Sequence, residues 1–283
     1  VNNRLVVWRM ALKDFKFHAP KTLSEAFVLL DKGKSPMLLA GGTFALNTLK
    51  KIARPPSDVI SLKKIEALHG IKPQGRGLWI GAMTTVADVA GSPVVKNAFP
   101  SLAQAAASLG TTPVRHMGTI GGNIASRFFW VDLPAVLISL GAKVCVSKKN
   151  KKETLILEKF LLERPSKKFI LTHIFLPGSK ALSFYFRHTR TVQEVDVPYL
   201  ALAFSCLKPG ARLQDVRCIV NTTLSLPLIL KNVEGLFEDI ACAKITTREI
   251  QEALRKDTEN SKLDAFRLHL LSADLEKLAH EKI

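Results

Sequence analysis

No apolar stretch in this sequence approaches the roughly 18–20 residues needed to cross a bilayer, because Lys, Gly or Pro interrupts every candidate. A membrane-spanning helix is therefore excluded at the level of sequence. Cysteine is scarce: there are four, Cys145, Cys206, Cys218 and Cys242, and none stands in a CxxC pair. Neither a zinc site nor an iron–sulfur cluster is encoded locally, and a reduced, cytoplasmic setting fits this usage. Surroundings such as AKVCV and LAFSC mark these thiols as small buried hydrophobes. Paired carboxylates, a Ser-His-Asp arrangement, a metal-ligand spacing, GxGxxG and GxxxxGK[ST] are all missing. Hydrolytic triads, metal catalysis and the nucleotide sites built on those glycine motifs are thus unsupported.

Acidic residues are also short, 24 against 41 basic ones, for a net charge of +17. Such a surplus suits nucleic acid, an anionic cofactor or an acidic partner. The lysines fall in small groups at turns, Lys50-Lys51, Lys63-Lys64, Lys148 to Lys152 and Lys167-Lys168, without interleaved aromatics or a recognised nucleic-acid motif. No nucleic-acid partner is expected, and KKNKK at 148–152 reads as a solvated hairpin turn. The N-terminal VNNRLVVWRMALKDF is broken by Arg9 and Lys13 before a signal-peptide core forms, and Met10 offers an alternative start.

What is present is core-forming material. Hydrophobic residues are 47% and charged residues 23% of 283, enough for two or three packed units. Thr22 with Glu25 has the spacing of a capping box ahead of Ala26, Leu29 and Leu30, and Met37 to Ala40 reads as a strand running into Gly41-Gly42-Thr43. A helix over 44–51, a Pro55-Pro56 break and a strand over 58–62 complete one α/β unit. LWIGA at 78–82, helices over 85–91, 100–109 and 132–140, and strands over 142–147, 154–157 and 169–175 form a second. Pro134 fits only as a first-turn residue. Strands over 182–188, 197–207 and 216–224, then helices over 229–237, 246–256 and 263–280, suggest a separate α+β domain after Pro177-Gly178. The expected division is 1–178, with subdomains of about 1–62 and 63–178, followed by 179–283.

Two glycine-rich loops carry the chemistry, Leu39-Ala40-Gly41-Gly42-Thr43 and Gly118-Thr119-Ile120-Gly121-Gly122-Asn123. Paired glycines let backbone N–H groups point into one concavity and let a ligand approach closely, which suits an anion, though a Gly-Gly after a strand is also an ordinary turn. His116, just before the second loop, is a lone histidine and equally an ordinary surface side chain.

The order FxxPxTLxEA (Phe17 to Ala26), LLAGGT (Leu38 to Thr43), IGAMTT (Ile80 to Thr85) and VRxxGTIGGNI (Val114 to Ile124) resembles the FAD-binding medium subunits of molybdenum hydroxylases, of the xanthine, nicotinate and carbon monoxide dehydrogenase type. The likeness runs over about residues 15–205. It implies an α+β protein: a PCMH/vanillyl-alcohol-oxidase-like FAD-binding fold of two α/β subdomains, plus a C-terminal α+β domain of the CO dehydrogenase flavoprotein type. Carried over by position, Leu38, Leu39, Ala40, Gly41, Gly42, Thr43, Phe44 and Ala45 line the diphosphate and flavin of FAD. Thr119, Ile120, Gly121, Gly122 and Asn123 form the second diphosphate loop. Asp132 touches the cofactor's polar end, and Arg187 stands near a family Lys. The resemblance further implies an electron-transfer subunit. A molybdopterin-binding large subunit and a [2Fe-2S] small subunit would feed this FAD, with NAD or another small molecule as acceptor.

Phe44 replaces the family's Asp or Ser, Leu109 an aromatic near the flavin, and Phe128-Phe129-Trp130 a small, polar stretch. These departures motivate a rival, a scaffold that keeps the fold without flavin. A second rival, UDP-N-acetylenolpyruvoylglucosamine reductase, shares the fold class but has a GSN-type first loop that LAGGT matches less well.

Overall fold

The computed structural model describes residues 14–51, 54–126, 132–149, 151–163, 168–178, 182–189, 198–210, 212–222, 226–239, 241–261 and 263–283. The bulky stretch at 128–130 and the N-terminal residues through Lys13 lie outside them.

Three sheets follow one another along the chain. The first is parallel, in the order β1-β3-β2, from β1 (Lys16–His18), β2 (Pro36–Leu39) and β3 (Asp58–Ser61). Helices α1 (Leu23–Lys32) and α2 (Ala45–Lys51) make its connections. Helix α1 buries Ala26, Phe27 and Leu30, one stripe of a 3.6-residue period. Its start departs from the expected box. Thr22 Oγ1 accepts from the Glu25 N–H, but the Glu25 carboxylate accepts from the Lys21 N–H, one residue too early to close the box. The complete box lies instead at Thr246 and Glu249.

The second sheet is antiparallel, β4-β5-β8-β6-β7, built from β4 (Ile71–Gln74), β5 (Gly77–Gly81), β6 (Lys143–Lys148), β7 (Lys151–Ile156) and β8 (Ile170–Leu176). Pro73 is tolerated because β4 is an edge strand. Period-two alternation sends Leu78, Ile80, Val144, Val146, Ile174 and Leu176 inward. There they meet helices α3 (Val86–Gly91), α4 (Pro93–Ala98), α5 (Pro100–Ala107), α7 (Ile120–Ser126), α8 (Leu133–Ser139) and α9 (Leu157–Leu162) in one continuous core. The sequence reading missed α6 (Thr112–Met117), whose Pro113 sits harmlessly in the first turn. The KKNKK turn is shorter than expected, since Lys151 and Lys152 already belong to β7.

The third sheet is antiparallel, β12-β11-β10-β9, from β9 (Leu182–Thr189), β10 (Pro198–Leu207), β11 (Gln214–Thr222) and β12 (Leu228–Ile229). Strand β10 is buried on both faces, and its alternation divides the work. Leu200, Leu202 and Phe204 pack under α10 (Lys231–Asp239), α11 (Thr247–Thr258) and α12 (Ala265–Lys277), each side chain contributing about 1.5–3 kcal/mol by burial. Ala201 and Ala203 face the other way, and their small size lets α8 lie against the sheet. Ser205 Oγ donates to the Ser139 carbonyl at 2.6 Å across that junction.

The β6–β7 hairpin carries a testable charge cluster. Lys148 and Lys151 flank the Glu153 carboxylate at 2.8 and 2.9 Å, and their hydrogen bonds hold its pKa down to about 2. A carboxyl depressed by folding stabilises the native state above its ordinary pKa, and that contribution disappears as pH falls through the native value. The hairpin's amide protection factors, taken relative to the intrinsic exchange rate at each pH, should therefore fall between about pH 5 and pH 2. Glu153→Gln should exchange faster at neutral pH and lose most of that acid dependence.

Candidate functional site

The first glycine loop leaves the top of β2 and enters α2, and the second leaves α6 and enters α7. They come from different sheets of the molecule and meet backbone to backbone. A Cβ on Gly41 would run into the Met117 carbonyl, and one on Gly122 would stand 2.8 Å from Thr119 Oγ1 and 3.3 Å from the Ala40 Cβ. A Cβ on Gly118 would lie 3.7 Å from Thr43 Oγ1. Glycine is required here first by the contact of one loop with the other. Only Gly42, at φ 77°, is needed for its left-handed backbone, which starts α2 by accepting the Leu46 N–H at 3.1 Å.

The second loop differs from its sequence reading in one respect. Gly121 and Gly122 lie within α7 rather than before it, and the first turn of that helix is pressed onto the strand-end segment after β5. Ile120 N–H donates to Thr84 O at 3.0 Å and Gly121 N–H to Ala82 O at 2.9 Å. A Cβ on Gly121 would sit 2.6 Å from the Ala82 carbonyl oxygen. Thr119 is buried, pairs with Thr85 in an isolated bridge and accepts the Gly122 N–H at 3.1 Å. Arg115 fastens the approach from α6, donating to the Leu109 and Gly110 carbonyls at 3.2 and 2.7 Å.

Three apolar side chains stand exposed beside the joined loops: Phe44 at 39%, Leu46 at 36% and Met117 at 55%. Leu38, Leu39, Ala40, Thr43 and Ala45 are half-buried behind them, and His116 points to solvent on α6. Asn123 adds a second kind of signal. Its Oδ1 is buried with no hydrogen-bond partner among the described residues, an acceptor that water cannot reach and that ordinarily finds a donor.

Asp132 and Arg187 are gathered in a separate cluster. Asp132, only 4% exposed, precedes α8 and accepts from three donors on the third sheet. These are Tyr185 Oη at 2.7 Å, Arg187 Nε at 3.2 Å and Asn221 Nδ2 at 3.2 Å. Burial pushes the Asp132 pKa up, against the opposing pull of those donors, and burial likewise raises that of Tyr185. The tyrosine is therefore a fixed neutral donor. The cluster ties the start of α8 to strands β9 and β11. Sequence reasoning missed Tyr185 and Asn221, because neither lies in a motif. The available signal was a tyrosine and an asparagine at inward positions of two alternating strands.

Cys206 and Cys218 are buried and Cys145 and Cys242 half-buried, all four free. Burial pushes Cys206 up to about 12 and also raises Cys218 well above the ordinary thiol range. No cluster of His, Cys, Asp or Glu among the described residues could hold a metal ion, and no described helix is long and apolar enough to cross a membrane.

The fold that carries these two loops is shared with known proteins. A family model described as "FAD binding domain in molybdopterin dehydrogenase" matches residues 13–179. The chain belongs to this family, whose members are FAD-binding components of oxidoreductases. It is 38% identical to the carbon monoxide dehydrogenase medium chain of Hydrogenophaga pseudoflava over 149 residues, 52% of each chain. It is 34% identical to the nicotinate dehydrogenase FAD-subunit of Eubacterium barkeri over 135 residues, 47% of this chain and 46% of that one. The matched region is about half the length of these curated relatives. A solved structure of the H. pseudoflava carbon monoxide dehydrogenase superposes with a TM-score of 0.82 at 26% identity, covering 95% of this chain and 96% of that one. The fold class expected from the resemblance is the fold observed.

Two substitutions separate the roles of these residues. Gly41→Val must push the loops apart and is expected to destabilise the chain by at least about 2 kcal/mol in urea unfolding. Asp132→Ala withdraws one acceptor from three donors and should cost about 3–5 kcal/mol, with faster amide exchange along β9 and β11.

Proposed function

We propose that this chain is the FAD-binding electron-transfer subunit of a molybdenum hydroxylase, with FAD held between segments 38–45 and 119–123. The observation that carries the reading is the convergence of the two glycine loops beside an exposed apolar rim. These residues fit the cofactor. Bare backbone at 41–43 suits a diphosphate, the absence of side chains at Gly121 and Gly122 lets a ligand approach the second loop closely, and Phe44, Leu46 and Met117 suit a flat, partly apolar ring system.

In this reading the loops bind and orient the cofactor, and the apolar rim keeps water from one side of the ring. Asp132 and Arg187 act as an anchored pair that fixes the start of α8, which packs against α7. The residues around 1–62 and 63–178 form the two halves of the clasp, and 179–283 backs it. FAD, when bound, supplies electron transfer in both one- and two-electron steps, so the protein needs no acid, base or nucleophile of its own. A molybdopterin-bearing large subunit and a [2Fe-2S]-bearing small subunit are the electron source, NAD or another small molecule is the acceptor, and the complex works in the cytoplasm. The basic charge of the chain suits a dianionic diphosphate and acidic neighbours.

The purified chain should show flavin absorption and release about one FAD per chain on denaturation. Phe44→Ser, which restores a small polar residue at an exposed position, should leave that stoichiometry intact. Gly122→Ala should weaken FAD at least about tenfold by displacing Thr119 and Ala40, a change of about 1.4 kcal/mol. A colourless chain that takes up no added FAD would replace this reading with that of a scaffold.

A further inference from the structure

Helix α6 ends on the contact between the two glycine loops, yet it has little of its own to hold it in place. Although it lies against α3, it is six residues long, buries none of them, and its N-cap Thr111 makes no side-chain cap bond. A helix that short is not stable by itself, so its position must come from bonds to its surroundings. Its last residue nevertheless sets the closest approach in the site: a Cβ on Gly41 would lie 2.8 Å from the Met117 carbonyl carbon and 2.9 Å from the Gly118 Cα. One attachment lies just past the helix, where the Gly118 carbonyl accepts the N–H of Val86, a buried residue of the main core, at 2.9 Å. The other is Arg115, half-buried on the helix itself. Its Nη1 donates to the Gly110 carbonyl at 2.7 Å and to the Leu109 carbonyl at 3.2 Å, and its Nη2 to Thr112 Oγ1 at 3.0 Å. These charge-assisted bonds grip the turn that closes α5, a helix buried along most of its length.

We propose that Arg115 is a positioning residue for the cofactor: by fastening α6 to the end of α5 it fixes the direction of that helix and so holds Met117 against Gly41, the contact that shapes the FAD site. With Gly118 pinned to Val86, loss of the Arg115 bonds leaves α6 free to swing about that point, and Met117, one residue away, moves with it. The first loop has no side chain at position 41 to follow the movement, because the contact there is backbone against backbone. The Met117 side chain, part of the exposed apolar rim, is displaced at the same time. Arginine suits the task because its planar fork reaches two carbonyls and a hydroxyl at once, whereas a lysine keeps only the shortest of these bonds, the one to Gly110. This inference rests on the reading that FAD lies between the two loops, and it assigns Arg115 no contact with the cofactor.

The test uses the full chain and added FAD. Arg115→Met keeps the apolar stem and removes every donor, and because α6 buries none of its residues the variant should fold. Arg115→Lys restores one donor. The control, Asp257→Ala, removes the carboxylate that accepts the Asn232 and Val233 N–H groups at the start of α10, on the third sheet's helical layer. Arg115→Met should bind FAD at least about tenfold more weakly and, before any FAD is added, exchange its amides faster in 112–118 and 41–46. Arg115→Lys should recover to within about threefold of the parent chain, and Asp257→Ala should unfold at lower urea yet bind FAD within about twofold of it. Equal affinity of the parent and Arg115→Met for FAD would overturn the proposal. So would weak binding with unchanged exchange in the cofactor-free loops, which would make Arg115 a direct ligand, or an equal loss in Asp257→Ala, which would make affinity follow overall stability. A lysine variant no better than the methionine one, or a methionine variant that does not fold, would overturn it too. A parent chain that takes up no FAD counts against the functional reading, and the exchange comparison, made without cofactor, then decides whether Arg115 holds the loops together.

Discussion

Two loops that meet without side chains between them set the terms for the rest of this molecule. Backbone approaching backbone at Gly41 and Met117 leaves no room for a β-carbon, and one on Gly122 would crowd Thr119 Oγ1 and the Ala40 Cβ. Nothing at the contact itself can hold it by hydrophobic burial, so the surrounding structure must do so. The parallel sheet fixes one loop at the end of β2, and the antiparallel sheet fixes the other through the hydrogen bonds from Ile120 and Gly121 to the segment after β5. The juxtaposition is a product of two separate cores, and a shift in either would open it.

The third sheet enters this scheme through α8. Its two alanines on β10 admit the helix, the Ser205 bond to Ser139 fixes its far end, and the Asp132 cluster fixes its start. A buried carboxylate is a costly way to join two elements, tolerable here because three donors satisfy it. The same cost makes the position discriminating: an alternative packing of sheet and helix would leave the charge unsatisfied.

Much of this was legible in the sequence, for reasons that differ by element. Strand β10 and helix α8 are apolar runs bounded by clear breakers, whereas the capping box of α11 at Thr246 and Glu249 went unread. The loops were legible as paired glycines, and the family resemblance ordered them. What the sequence could not convey was the cause of those glycines. A pair beside a strand suits a ligand, a turn or a neighbouring chain segment equally well, and only the fold brings Met117 over Gly41. Asp132 was read by position as a group facing the cofactor. Its three donors come from residues 53 to 89 positions later, a separation at which single-sequence reasoning has no purchase. The helical state of Gly121 and Gly122 was likewise hidden, since glycine is a poor helix former and only the close approach to Ala82 explains it there.

The central claim is that both loops, together, hold the cofactor. Amide hydrogen exchange of the full chain, followed with and without a saturating amount of FAD, addresses it most directly. The account predicts slowed exchange in 38–45 and 119–123 at once, with little change along the outer face of the second sheet. FAD bound at full stoichiometry with only one loop protected, or with protection confined elsewhere, would contradict it.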